Sequence, residues 1–421
     1  MTRVRGLALI LAAVFVTSMT CSTAALAVGE QETDYLTPES ISSHFYDIGI
    51  TKVPTVVGTP YLTAVSSTSV LSLDWDYELA LTDVVSRSSQ DLGTLPIPAG
   101  SRVLDFQYFD EWKATATTFP AFVSYSLYDA VTNCHRMYLR QATVDSTGGG
   151  ANSLGKVWFT SACFPKTGDN PYILAQSGGR MALVPKGMRT SPAKPEFYLG
   201  IGDFRIAKPY DIKLSPAARN TLSTIVRIPE PGTYAVWTRG VRNPQGLVVA
   251  TVDGRKEVLG TSQGPRGGDE FYVAAKGADY GWPHRSYGTA YFPGDPAGTP
   301  DVEGTKRGYD EPLFVWTPSI GLSTMTQVQG PAFQQWWGAP RGKGTPDLIL
   351  SGMGARWLYR VHMSQGAVRG YEGLYIGARA RSLAQLPNGY IVVGLDGGKE
   401  LLVLQPTAAW SSQAESKVPV G

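Results

Sequence analysis

Residues 234–252 read Tyr234-Ala235-Val236-Trp237-Thr238-Arg239-Gly240-Val241-Arg242-Asn243-Pro244-Gln245-Gly246-Leu247-Val248-Val249-Ala250-Thr251-Val252. Two β-branched and aromatic runs, Tyr234–Thr238 and Gly246–Val252, flank a short turn rich in Gly, Asn and Pro, which is the signature of strand, turn, strand. The same grammar extends in both directions from about residue 55 to 405. Upstream lie Phe122–Leu127, Arg136–Val144, Val157–Ala162 and Phe197–Ile201, and downstream Asp347–Ser351, Leu358–His362 and Tyr390–Gly394. A short helix is expected at Glu39–Asp47, and no long helix elsewhere. Many short strands at roughly 8–12-residue spacing point to a sandwich, a barrel or a propeller.

Composition agrees. Hydrophobic residues make up 43% of the 421, enough for a large core, and charged residues only 17%, against about 25% in an average soluble protein. Gly (47), Pro (29) and an aromatic content of 11% fit an all-β chain with many turns.

The first residues read as a secretory signal. Arg3 and Arg5 precede the apolar stretch Gly6–Val16, too short to span a bilayer, and Ala25-Leu26-Ala27 gives a small-x-small cleavage pattern. The mature chain is expected to start at Val28. Lipidation at Cys21 is the weaker alternative, because Ser18 stands where an aliphatic residue is expected. Losing residues 1–27 removes two Arg and no acid, so the 35 remaining cations balance the 35 acids. Neutrality argues against nucleic acid or an anionic membrane as the main partner. No later run has the length and apolarity of a membrane span. Divided by six, the mature length leaves about 66 residues per unit, room for four strands in each propeller blade. No clean internal repeat supports that division.

Two cysteines remain after cleavage, Cys134 and Cys163. An oxidising compartment and a hairpin centred on Gly148-Gly149-Gly150 predict a disulfide between them. Two buried thiols are the alternative.

Three fragments in order complete the identification: Gly240-Val241-Arg242-Asn243-Pro244-Gln245-Gly246-Leu247, then Gln263-Gly264-Pro265-Arg266-Gly267-Gly268-Asp269-Glu270, then Gly277-Ala278-Asp279-Tyr280-Gly281-Trp282-Pro283. Together they resemble the soluble quinoprotein glucose/sorbosone dehydrogenase family. The likeness extends weakly through Phe122–Leu127, Ser177–Phe204 and Pro312–Gln405 and is poor over residues 28–100. It implies an all-β, six-bladed β-propeller of four-stranded antiparallel blades over residues 46–406, after a 28–45 extension and before a 407–421 tail.

The resemblance also implies pyrroloquinoline quinone (PQQ), Ca²⁺ and a sugar substrate oxidised at C1. PQQ is a flat tricarboxylate, and arginine forks suit carboxylates. Arg242, Asn243 and Gln245 match the cofactor loop. Arg379 and Arg381 match an Arg-x-Arg loop whose alternation would point both side chains one way. The alternative is that these arginines pair with local acids. One Ca²⁺ is implied at the carbonyls of Gly264 and Pro265, and a structural Ca²⁺ at Glu270 and Tyr280; carbonyl and carboxylate oxygens are the hard ligands it takes. The alternatives are a loop acid at Glu270 and core packing at Tyr280 and Trp282.

The chain departs from the family at its catalytic base. The His expected four residues before Arg180 is Gln176, although Asp203 matches the family's Gly-Asp. A neutral amide takes no proton near pH 7. The early Gln-Gly loop appears as Ala99-Gly100-Ser101-Arg102, and a family Lys falls on Gly354, with Arg356 close by. Of His44, His135, His284 and His362, only His284 is near the site in sequence, and a surface loop role is its simpler reading. The sequence therefore supports two functions: an exported PQQ-dependent sugar dehydrogenase with an unidentified electron acceptor, or a catalytically impaired or non-enzymatic propeller that binds a sugar, a cofactor or a protein.

Overall fold

The computed structural model describes residues 37–43, 46–111, 117–166, 174–206, 216–289, 306, 308–334 and 347–407. The expected signal segment, Cys21, His44 and residues 408–421 lie outside the described residues. Strands β1 (Ser40–Ser42) and β2 (Asp47–Pro54) open the described chain. The first blade is β3 (Tyr61–Ala64), β4 (Ser69–Leu73), β5 (Glu78–Asp83) and β6 (Ser88–Thr94). The second is β7 (Arg102–Tyr108), β8 (Thr118–Asp129), β9 (Cys134–Asp145) and β10 (Ser153–Thr160), with β11 (Phe164–Pro165) paired to β9. The third is β12 (Gly178–Leu183), β13 (Phe197–Ile201), β14 (Thr224–Glu230) and β15 (Thr233–Arg239). The fourth is β16 (Pro244–Val252), β17 (Arg255–Ser262), β18 (Asp269–Val273) and β19 (Phe314–Trp316). The fifth is β20 (Leu322–Gln327), β21 (Leu348–Gly352), β22 (Trp357–Ser364) and β23 (Ala367–Tyr375). The sixth is β24 (Ala380–Gln385), β25 (Ile391–Leu395) and β26 (Glu400–Pro406), completed by β2 and then β1. All pairings within these sheets are antiparallel.

The six sheets form a six-bladed β-propeller. Its innermost strands neighbour one another in a closed circuit, β3, β7, β12, β16, β20, β24 and back to β3. Closure is made by the chain's own ends: Ile48–Pro54 of β2 pairs residue for residue with Pro406–Glu400 of β26. Radial repetition around the ring leaves only short sheet edges and covers both faces of each blade. Strands with both faces covered read as continuous apolar runs. Accordingly Phe197–Ile201, Leu348–Gly352 and Ile391–Leu395 are buried at every residue. Outer strands are more exposed: Ser88–Thr94 is mostly polar, and Thr233–Arg239, though rich in aromatic and β-branched residues, is exposed over its first three residues.

Each junction between neighbouring blades has its own apolar core, giving six clusters around the ring. At the junction of the second and third blades Phe122 is a hub, with ring centroids 5.8 Å from Phe109, 5.4 Å from Trp158 and 4.5 Å from Phe197. Such pairs add about 0.5–1.5 kcal/mol each beyond area burial.

One feature differs from the sequence reading. Glu39–Asp47 holds no helix: Ser40–Ser42, expected in the extension, pairs with Asp47–Gly49 at the outer edge of the sixth sheet. Such a short polar stretch has too little helical propensity to compete with an available sheet edge. A short α-helix, α1 (Pro216–Thr221), precedes β14. The disulfide is present: Cys134 and Cys163 are joined with Cα atoms 5.0 Å apart, at the end of β9 beside β11.

Candidate functional site

Each blade starts with its innermost strand, and these six starts converge on one end of the ring. Arg180, the third residue of β12, ties them together. Its Nε donates to the Gln245 carbonyl at 2.9 Å, its Nη2 to the Arg381 carbonyl at 3.1 Å, and its Nη1 to Asp105 Oδ1 at 2.8 Å. Ser323 Oγ adds the fifth blade by donating to the same Arg381 carbonyl at 2.9 Å. The turn entering β12 makes this reach feasible. Gly178 and Gly179 have φ of +73° and +96°, and a Cβ at Gly179 would come 2.2 Å from the Leu104 side chain. Only glycine tolerates that backbone and that contact.

The Arg180–Asp105 pair is almost fully buried. Burial pushes the Asp105 carboxyl up, and Arg180 and the amides of Met181 and Phe106 pull it back. Below it the ring encloses an axial channel of about 340 Å³, lined among others by Thr63, Gln107, Val248 and Thr326.

The residues expected to bind a cofactor are brought together here. Asn243 Oδ1 accepts from the Gly178 amide at 3.1 Å and from Gln245 Nε2 at 3.0 Å, fastening the cofactor loop to the start of β12. Arg381 and Arg379 both reach Asp396, Arg381 Nε at 2.7 Å and Arg379 Nη2 at 3.1 Å. Both side chains point the same way, and in this structure they pair with a local acid, Asp396, which is the alternative the sequence left open. Arg242 donates to the carbonyl of Gly264 at 2.6 Å, lies 3.7 Å from Asp203 Oδ2 and sits 5.3 Å from the Trp282 ring centroid.

Gln176 and Asp203 occupy adjoining turns. The Gln176 carbonyl accepts from the Phe204 amide at 3.1 Å, and Gln176 itself is held at φ +54°. The backbones approach so closely that a Cβ at residue 202 would lie 1.9 Å from that carbonyl, so Gly202 is required. Asp203 is 1% exposed. Burial raises its carboxyl above the usual range, while Arg242 pulls it down. Of the described histidines, His284 and His362 make their contacts elsewhere, and His135 packs on Phe204, the residue after Asp203. His284 is exposed and stacks near Tyr309, and His362 Nδ1 is 2.7 Å from Asp347 Oδ1 on β22. His135 is packed among the rings of Tyr128 and Phe204.

Sequence reasoning passed over Arg102, the first residue of β7. Its guanidinium lies 5.6 Å from the Trp75 ring centroid, and Arg381 lies 5.4 Å from the same ring. Burial lowers the Arg102 pKa, Arg381 adds to that, and Asp396 opposes it. The rim thus gathers Arg102, Arg180, Arg242, Arg379 and Arg381 against Asp105, Asp203 and Asp396. That excess of positive charge beside a flat indole suits a planar anion. The signal in the sequence was an arginine opening a strand just after the Gly100 turn.

The metal positions are less open. Gly264 and Pro265 each offer a carbonyl, that of Gly264 already accepting from Arg242 and that of Pro265 from Ser319 Oγ at 3.3 Å. Among the described residues no group of three or more His, Cys, Asp or Glu is placed to hold a metal. Glu270 and Tyr280 are close neighbours, but the ammonium of Lys306 stands between them, ion-paired with Glu270 and donating to the Tyr280 carbonyl at 2.7 Å.

Comparison with known proteins agrees with this architecture. Residues 224–404 match the family described as Glucose / Sorbosone dehydrogenase. An uncharacterized protein of Synechocystis is 31% identical over 191 residues, and the aldose sugar dehydrogenase YliI of Escherichia coli is 29% identical over 187. These alignments cover 42% of this chain in each case and 43% and 46% of the two relatives, so the chain matches just under half the length of each. Among solved structures, the soluble aldose sugar dehydrogenase of Escherichia coli in its apo form superposes with a TM-score of 0.64 at 18% identity, over 86% of this chain and 100% of that one. The PQQ-bound aldose sugar dehydrogenase of Streptomyces coelicolor gives 0.58 at 17% identity, over 88% and 99%. At these identities the structural likeness is one of fold.

Proposed function

We propose that this chain, whose residues 224–404 carry a glucose/sorbosone dehydrogenase domain, is an exported propeller that binds PQQ at the arginine rim and oxidises a sugar at C1, slowly, because Gln176 stands where the base belongs. The observation that carries this reading is the rim itself: five arginines and three carboxylates at the point where the inner strands start. Gathering guanidinium charge, part of it buried and Arg102 and Arg379 half-buried, is costly for folding alone and is relieved by an anionic ligand. The disulfide between Cys134 and Cys163 fits an oxidising compartment. Among the described residues no helix is long and apolar enough to cross a membrane.

Arg379 and Arg381 form one carboxylate clamp, released from Asp396 as the ligand's own carboxylate takes its place. Arg102 supplies a further cation near the same Trp75 ring. Asn243 and Gln245 hold the loop that presents Arg242. The Gly264 and Pro265 carbonyls would hold a Ca²⁺, with the cofactor's carboxylates as its negative partners, since the Asp269 carboxylate beside them already accepts the Gly264 amide. When bound, the quinone supplies the acceptor for the hydride that leaves C1. The chain's part is to take the C1 hydroxyl proton. The Gln176 amide has no such capacity, and the Asp203 carboxylate, raised by burial but paired with Arg242, is the weaker substitute on the adjoining turn.

The test is to add PQQ and Ca²⁺ to the purified protein and follow the cofactor's absorbance and dye reduction with a panel of aldoses. The expected result is cofactor uptake with slow turnover, and a gain of about 10²–10⁴-fold in rate for Gln176→His. Uptake with no turnover in either protein favours the binding propeller, for which the replaced base is the supporting observation. Absence of uptake contradicts the rim as a PQQ site and favours a propeller that binds a sugar or a protein.

A further inference from the structure

Behind the rim a small closed cavity lies between the turn joining β17 to β18 and the excursion that follows β18. Arg242, Gly264, Glu270, Trp282 and Lys306 line it. Lys306 is the most deeply enclosed lysine among the described residues, 1% exposed. An ammonium held out of water is tolerated only when it is ion-paired and hydrogen-bonded, and Lys306 has both. Its Nζ pairs with Glu270 Oε1, donates 2.7 Å to the Tyr280 carbonyl and stands 5.4 Å from the Tyr287 ring centroid. Its main-chain amide donates to one oxygen of Glu311, whose other oxygen receives the Tyr287 hydroxyl.

Tyr280 enters this arrangement through its main chain. Its hydroxyl points elsewhere and donates to the Val273 carbonyl. The set around the ammonium is therefore a carboxylate and a main-chain carbonyl, the hard-oxygen chemistry that a Ca²⁺ ion also uses. The one carboxylate that meets the ammonium directly is Glu270; the next nearest, Glu311 and Asp269, already accept main-chain amides, Glu311 that of Lys306 and Asp269 those of Gly264, Ile320 and Leu322. A divalent ion added beside the ammonium would meet direct repulsion.

We infer that Lys306 is a tethered cation that takes the structural metal's place at the Glu270–Tyr280 pair, fastening the excursion after β18 to the fourth blade and closing that position to divalent ions. The family resemblance reserves this pair for Ca²⁺; the geometry gives it to a side chain. The inference does not rest on PQQ binding or on turnover.

Thermal unfolding of the full chain, in chelator and in millimolar Ca²⁺, tests it. Any Ca²⁺ response of the parent protein is expected to be the same in Glu270→Gln, since Glu270 takes no metal while Lys306 is present. Lys306→Met leaves Glu270 buried without its cation and is expected to lower Tm by roughly 5–10 °C in chelator. Ca²⁺ should then recover part of that loss, and the recovery should vanish in the double variant Glu270→Gln/Lys306→Met. A parent Ca²⁺ response that Glu270→Gln abolishes would overturn the inference, and so would a Lys306→Met protein that Ca²⁺ does not stabilise. Should Lys306→Met fail to fold, the parent and Glu270→Gln comparison still decides whether the pair takes metal.

Discussion

The rim of the ring and the cavity behind it handle charge in opposite ways. At the rim, Arg102 and Arg381 flank the Trp75 ring, and Arg379 and Arg381 share a single Asp396. Behind it, one ammonium meets one carboxylate and one carbonyl and is sealed from water. The matched pair is what a fold needs to hold two segments together. A surplus adds repulsion to the cost of desolvation. Under the function proposed above, charge balance distinguishes the ligand site from the structural pair, and Arg242 with the Gly264 turn takes part in both.

Three substitutions sharpen that contrast. The largest effect is expected for Asp105→Ala, which leaves the Arg180 guanidinium buried without its carboxylate. A loss of about 3–5 kcal/mol in denaturant unfolding is expected, and a loss under 1 kcal/mol would mean that the tie across the blades is not needed. Arg102→Met works on the surplus. Its expected effect on stability is neutral or favourable, because it relieves repulsion on Arg381, while affinity for PQQ falls about tenfold. A variant that loses stability and keeps affinity would place Arg102 among the structural cations.

The smallest effect concerns His135, which packs on Phe204 beside the Asp203 turn. Its Nδ1 finds no hydrogen-bond partner among the described residues. Burial, with Lys166 nearby, lowers its pKa from 6.5 to about 4. Between those values the unfolded chain takes up a proton that the folded chain refuses. Stability is therefore intact above pH 6.5 and falls as the pH drops towards 4. His135→Phe should match the parent near pH 7 and fall less steeply with acid, measured as Tm against pH; identical curves would show that His135 is protonated in the folded protein.

The sequence made the middle of each blade legible and the ends of the chain obscure. Phe197–Ile201 and Ile391–Leu395 are readable because both faces are covered and the runs are apolar throughout. Ser88–Thr94 and Ser40–Ser42 are outer strands whose polar residues carry little period. Ring closure through β2 and β26 joins residues more than three hundred positions apart, which no local pattern encodes. In the site, Arg242, Asn243, Gln245 and Arg381 were readable because they sit in fragments that resemble a family. Arg102, Arg180 and Asp105 were not singled out as site residues, since their meaning comes from the convergence of separate strands. Lys306 lies beyond the quoted fragments, and only the fold brings its ammonium to Glu270.

The most direct test of the rim as a site for a planar anion is a PQQ titration of the purified chain, followed by the cofactor's absorbance at two salt concentrations, beside Arg381→Ala. The account predicts saturable binding that weakens with salt and falls by tenfold or more in Arg381→Ala. Binding equal in both proteins, or none in the parent, would contradict it.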